Sequence, residues 1–277
     1  MTEYKQEFID LICQCSSNEY IGLGKPNAKI LLVGKEVATN PYSKDPLEEQ
    51  NMVSYLNNVK DWEKNKTERK QQEDVKYWVF DENRKTEEVD NNPLFAFKGS
   101  KVKDTSDTWD KYQKLYDIVF NNGIDNNREK ELDFQKEFFI TEMSNIPSPK
   151  THNAQRDIDF KTNLERRKNN FFRSEFIQDF PIVVLACSNY IWNKQDKWQI
   201  NDIFGVKFDI KQRFSKGEYV FSPSNKFYAH YSDDGSKLVI HTRQLSMNVK
   251  DDMLKEMGAL IREHLKKIGY IPRHPLA

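Results

Sequence analysis

Two polar residues stand directly after apolar runs that lie far apart in the chain. Glu36 follows Ile30-Leu31-Leu32-Val33 across a Gly34-Lys35 turn, and His241 follows Leu238-Val239-Ile240. A carboxylate and an imidazole that converge on one ligand are the minimum for general acid and base work. Two further runs end in the same way. Phe138-Phe139-Ile140 leads into Thr141-Glu142, and Ile182 to Ala186 leads into Ser188-Asn189. The alternative reading is a buried, satisfied Glu36 and a capping His241.

Short apolar runs separated by long helical connections predict buried strands, right-handed crossovers and a parallel sheet with helices on both faces. The expectation is therefore one α/β domain over 1–277, a three-layer α/β/α sandwich with a four-stranded parallel sheet. Its strands are 29–33, 138–140, 182–186 and 238–240. Ligands of such sheets bind beyond the carboxyl ends of the strands, where Gly34, Lys35, Glu36, Glu142, Asn189, His241 and Arg243 would stand. Helical spacing covers 4–15, 108–120, the stretch NLERRKNNFFRSEFIQDF, and 249–268, whose apolar face holds Val249, Met253, Met257, Leu260, Ile261 and Ile268. Residues 43–107 carry a dense charged tract, DWEKNKTERKQQEDVKYW, and read as a helical, charged insertion. Low-complexity disorder is the competing reading, against which Trp62, Tyr77, Trp78, Val79 and Phe80 supply anchors.

With 277 residues and 37% hydrophobic content, the chain can bury a real core. No run approaches the roughly eighteen apolar residues of a membrane span, and the amino terminus MTEYKQEFID is charged, so a cytoplasmic protein without a membrane partner is expected. Lys plus Arg equals Asp plus Glu at 43 each, which removes any global basic field for nucleic acid. A local patch remains as a candidate: Lys161, Arg166, Arg167, Lys168 and Arg173, with Phe171 and Phe172 between them. The same run reads as the wet side of a helix. Cys13, Cys15 and Cys187 make no even framework, and all three read as buried thiols; neither a disulfide nor an iron–sulfur cluster is expected. Among the five histidines there is no HxxxH pair, so no metal or other cofactor is expected.

Familiar motifs fail on spacing. Gly34-Lys35 lacks the glycine five residues upstream and the following Ser or Thr of a phosphate loop, whose places hold Lys29 and Glu36. Gly22-Leu23-Gly24 precedes its strand, so it is a turn and no dinucleotide fingerprint. No Gly-x-Ser-x-Gly elbow follows any strand.

The pattern that remains resembles the uracil-DNA glycosylase superfamily. VGKE (33–36) is similar to that family's GQD turn, and HTRQLS (241–246) aligns with its HPSPLS loop, keeping His241, Leu245 and Ser246. FFITEMSNIPSP resembles the YITN strand end, with Glu142 at the base-reading asparagine. NPLFAFKG resembles the segment of the stacking phenylalanine, with Phe97 there and Phe95 close by. The resemblance covers 20–42 and 93–268. It implies that Glu36 orients water and offsets charge on the sugar, that His241 donates to the departing base, and that Leu245 fills the gap left by an extruded base. The implied partner is DNA or a nucleotide. A non-catalytic member that binds nucleotide or protein, and an unrelated hydrolase or transferase, are the alternatives.

This chain also departs from that family. Both HPSPLS prolines are replaced, by Thr242 and Gln244, and Arg243 brings a phosphate-seeking charge. An ionised Glu142 only accepts hydrogen bonds, whereas an amide both donates and accepts. A pocket-facing Glu142 therefore disfavours uracil and suits a partner with two adjacent donors, such as guanine. Otherwise Glu142 caps a helix or pairs with Lys35 or Arg243.

Overall fold

Apolar runs with no polar face become strands covered on both sides. In the computed structural model each expected run is a strand. The structure describes residues 3–39, 46–75, 92–95, 107–121, 123–124, 132–194, 197–208 and 218–271. Tyr77, Trp78, Val79, Phe80 and Phe97 lie outside them. In chain order the elements are α1 (Gln6–Gln14), β1 (Leu23–Gly24), β2 (Ile30–Gly34), α2 (Pro46–Leu56), α3 (Asn58–Glu68), α4 (Asp107–Phe120), β3 (Phe138–Glu142), α5 (Thr151–Ala154), α6 (Phe160–Asn169) and α7 (Glu175–Gln178). There follow β4 (Ile182–Leu185), β5 (Asn193–Lys194), β6 (Lys197–Trp198), α8 (Gln199–Phe204), β7 (Lys207–Phe208), β8 (Glu218–Ser222), β9 (Asn225–Tyr231), β10 (Leu238–Thr242) and α9 (Asp251–Lys267).

The chain divides into two compact units, Met1–Ser100 with Gln135–Phe180, and Lys101–Phe134 with Pro181–Ala277. In the first, β2 and β3 are parallel, with Gly34 opposite Glu142, and β1 is antiparallel to β3. β1 approaches so closely that a Cβ at Gly22 would lie 2.3 Å from Ile140 O. The Gly-Leu-Gly stretch thus leads into a two-residue edge strand and needs bare backbone. Phe8 of α1, Trp62 of α3, Phe139 of β3 and Phe176 of α7 form an aromatic cluster; Phe8 lies 4.9 Å from Trp62 and 4.6 Å from Phe176, centroid to centroid. Helix α3 belongs to this core. Trp62 is fully buried and donates Nε1–H to Gly22 O at 2.9 Å, while Asn58 accepts from Ile21 N and Gly22 N and donates to Gly22 O.

In the second unit β10 is parallel to β4 and antiparallel to β9, which pairs on its other side with β7 and β8. β5 and β6 form a separate short ladder. Helices α4 and α9 pack together at Gly258, where a Cβ would lie 2.5 Å from Ile118 Cγ2. Helix α9 buries Met253, Leu254, Met257, Ile261 and Leu265, opens on Asp251 and Asp252, and closes on Lys266 and Lys267, as charges at helix ends favour.

The pairs β2–β3 and β4–β10 are parallel as expected, and the α/β class holds. The four-stranded, all-parallel sheet does not. Eight strands, three in the first unit and five in the second, join the main ladders among the described residues, and the additional ones run antiparallel. The reason is visible in EYVFSPSNKFYAHY, 218–231. Around a Ser-Pro-Ser-Asn turn, β9 buries Asn225, Phe227 and Ala229 and leaves Lys226 and Tyr228 half-buried, and β8 buries only Tyr219, a half-buried hairpin pattern that differs from a continuous apolar run. Cys187 is buried, but Cys15 is half-buried and Cys13 exposed, because α1 turns only Phe8, Leu11 and Ile12 into the core. No helix among the described residues is long and apolar enough to cross a membrane.

Candidate functional site

The expected site residues fall in both units: Gly34, Lys35, Glu36 and Glu142 in the first, Asn189, His241, Arg243 and Leu245 in the second.

In the first unit the β2–β3 pairing continues past the strands. Met143 N donates to Gly34 O at 3.0 Å, Ser144 N to Lys35 O at 2.8 Å and Ser148 N to Val37 O at 3.0 Å, so the two loops run side by side. The carboxylate of Glu142 lies over Gly34, where a Cβ would come within 2.1 Å of Oε2. Glu36 is buried and accepts a 2.6 Å hydrogen bond from Thr151 Oγ1 at the start of α5. Lys35 is half-buried.

Arg167 of α6 supports this rim, a role absent from the sequence reading. Its Nε donates to Glu142 O at 2.8 Å, and Nη2 donates to Tyr20 O at 2.7 Å and Thr141 Oγ1 at 2.9 Å. The guanidinium lies 3.8 Å from the Phe171 ring centroid. Burial lowers its pKa to about 10, opposed by Cys15, Glu19, Tyr55 and Glu142, and it remains a cation at neutral pH. Tyr20 and Tyr55 stack at 5.6 Å, and burial raises both hydroxyls; Tyr55 reaches about 12, and Tyr20 is raised further by Glu142. A signal for Arg167 existed. Phe160, Leu164, Arg167 and Phe171 recur at helical spacing, which places the arginine on the buried face.

The aromatic part of the expected basic surface therefore does not form, and of its cations Lys161, Arg166 and Arg173 stay exposed. Phe171, Phe172, Arg167 and Lys168 are buried, Arg166 pairs with Glu19, and Lys168 pairs with Glu165 at 2.8 Å. The aromatics went inward because burying a phenylalanine outweighs displaying it.

In the second unit His241 lies opposite Leu185 of β4 and Tyr228 of β9. Its ring stacks on Tyr228 at 6.1 Å and 25°. His241 Nε2 lies 2.8 Å from Ser188 O, and burial lowers its pKa. Tyr228 donates its hydroxyl to Glu218 at 3.1 Å, and Lys226 pairs with the same oxygen at 3.0 Å. Asn189 is exposed. Arg243 donates Nη1–H to Ser224 O at 2.7 Å, which ties it to the β8–β9 turn. Leu245, expected as a wedge, is fully buried, whereas Met247 two residues on is 52% exposed. Asn248, further along the same loop, has a φ of 55°.

Phe97 lies outside the described residues. Phe95 is half-buried, in a segment held by the reciprocal amide pair of Asn65 and Asn92 at 2.7 and 2.8 Å. No group of His, Cys, Asp or Glu among the described residues could hold a metal ion. No protein-family model matches the chain, and comparison with curated proteins gives no match.

Proposed function

We propose that the chain is a divergent N-glycosidic hydrolase that acts on a damaged or modified base, in DNA or in a nucleotide. The resemblance to the uracil-DNA glycosylase superfamily is part of this proposal. The observation that carries it is the pairing of Gly34 with Glu142, which sets an acceptor-only carboxylate beside the turn that bears Glu36. Breaking an N-glycosidic bond builds positive charge on the sugar and negative charge on the base. Glu36 would orient water and offset the sugar's charge. Glu142, held by Arg167 through its backbone, would accept from a base that presents adjacent N–H groups, and guanine fits this better than uracil.

The test is base release from damaged and modified single- and double-stranded DNA and from nucleosides, repeated with Glu36→Gln, together with binding of free guanine and uracil. Release abolished by Glu36→Gln and tighter guanine binding are expected. Tighter uracil binding would contradict the role of Glu142. A second reading, a non-catalytic nucleotide-binding member of this fold, is favoured by one observation: Glu36 already has the Thr151 hydroxyl on its carboxylate in a buried setting. Base binding without release from any substrate would select it.

A further inference from the structure

His241 is held by a residue in an uncommon conformation. Ser188 follows β4 with φ 51°, a left-handed value seldom taken by residues other than glycine, asparagine and aspartate. That backbone places the Ser188 carbonyl 2.8 Å from His241 Nε2, while Ser188 Oγ accepts from Gln244 N at 3.3 Å. A carbonyl oxygen only accepts, so Nε2 carries the proton and donates it to Ser188. In the neutral ring Nδ1 is then a bare lone pair, and among the described residues it has no hydrogen-bond partner.

We propose that Ser188 is a positioning residue that locks His241 as the Nε2–H tautomer, so that the imidazole offers its ligand an acceptor, Nδ1, and selects a base that presents an N–H. This inverts the donor role implied by the family resemblance. It rests on the reading that the chain binds a nucleobase. The groups facing the ring belong to β8 and β9: Tyr228 stacked on it, Glu218 and Lys226 behind the Tyr228 hydroxyl, and His230, on which it acts electrostatically. Burial keeps the ring neutral at physiological pH, the state in which a lone pair is free.

Nitrogen-15 NMR of the ligand-free full chain reads the tautomer directly. The expected spectrum has Nε2 protonated and Nδ1 bare, in wild type and in Ser188→Gly, which tolerates the left-handed backbone. In Ser188→Val, which does not, a tautomer mixture is expected. A proton on Nδ1 in wild type, or an unchanged tautomer in a folded Ser188→Val, would overturn the proposal.

Guanine titrations across pH give the second readout. An imidazolium cannot accept, so below the ring's pKa the affinity should fall by about tenfold per unit. His241→Asn, whose amide oxygen reaches the Nδ1 position, should bind more weakly than wild type but more tightly than His241→Gln, and should lose that part of the decline. His241→Gln, which reaches the Nε2 position, should lose affinity. Binding that strengthens on acidification, or identical profiles in wild type and His241→Asn, would also overturn it. If guanine binds at no pH while the tautomer is as expected, the nucleobase reading fails and the Ser188–His241 lock stands.

Discussion

The carboxylate of Glu142 occupies the space where a side chain at Gly34 would begin, 2.1 Å from an ideal Cβ. Gly34 does not have a positive φ, so its backbone would accept alanine, and what requires glycine is room for the acid. Gly34→Ala should displace the end of a flexible side chain at a cost of about 1 kcal/mol, the scale of an off-rotamer side chain. If Glu142 accepts from a bound base as proposed, base affinity should fall by about tenfold or more, since one lost hydrogen bond to a charged group is worth about 1.5–3 kcal/mol. Calorimetric titration beside thermal unfolding separates the two effects.

Thr151 donates its hydroxyl to Glu36. Thr151→Val keeps the shape and removes that donor. If Glu36 acts on the sugar, single-turnover base release should slow by about tenfold, the effect of losing roughly 1.5 kcal/mol from the carboxylate's hydrogen bonding, and Glu36→Gln should slow it further. Equal rates in Thr151→Val and wild type would detach Thr151 from the chemistry.

His230 is buried, with Nδ1 3.2 Å from Val239 O, and its pKa is pushed down to about 4, first by burial and then by His241. The unfolded chain takes up this proton near pH 6.5 and the folded chain only near pH 4, so the unfolded state binds more protons between those values. Stability is then full above the upper value and is lost as pH falls toward the lower one. Urea unfolding should show a loss of about 2 kcal/mol between about pH 7 and about pH 5 from this residue. A folded His230→Gln should show a correspondingly smaller loss.

Arg167 ties α6 to the end of β3 and to the loop after α1. Arg167→Met would leave the carbonyls of Tyr20 and Glu142 without this buried donor, at about 1–3 kcal/mol each. The unfolding free energy from denaturant titration should therefore fall by about 2–6 kcal/mol. Arg167→Lys keeps the charge but not the planar fork, and should recover only part of the loss.

The parallel strand pairs were readable because Ile30-Leu31-Leu32-Val33 and Ile182-Val183-Val184-Leu185 have no polar face and can only be interior. The β8–β9 hairpin was not, since half-buried strands carry an alternating signal that Tyr228, His230 and Lys226 blur with polar atoms on aromatic or long side chains. Side-chain direction was harder still. The sequence placed Glu36, Glu142 and His241 at strand ends, but nothing local in HTRQLSMN tells which of Leu245 and Met247 turns inward. That is settled by tertiary packing, which buries Leu245 and leaves Met247 exposed. Arg167 was misread because an arginine in a charged run is usually solvated, and only its apolar neighbours four residues away reveal otherwise.

Helix α3, from the segment read as an insertion, fastens onto the bare backbone of Gly22 with an amide and an indole. The extra length is accordingly a buttress and no appendage. Trimming the chain to a minimal version without residues 46–75 would strip the shield from its outermost strand and uncap Phe8 and Phe139, leaving a sticky, incomplete body instead of a smaller version of the same fold.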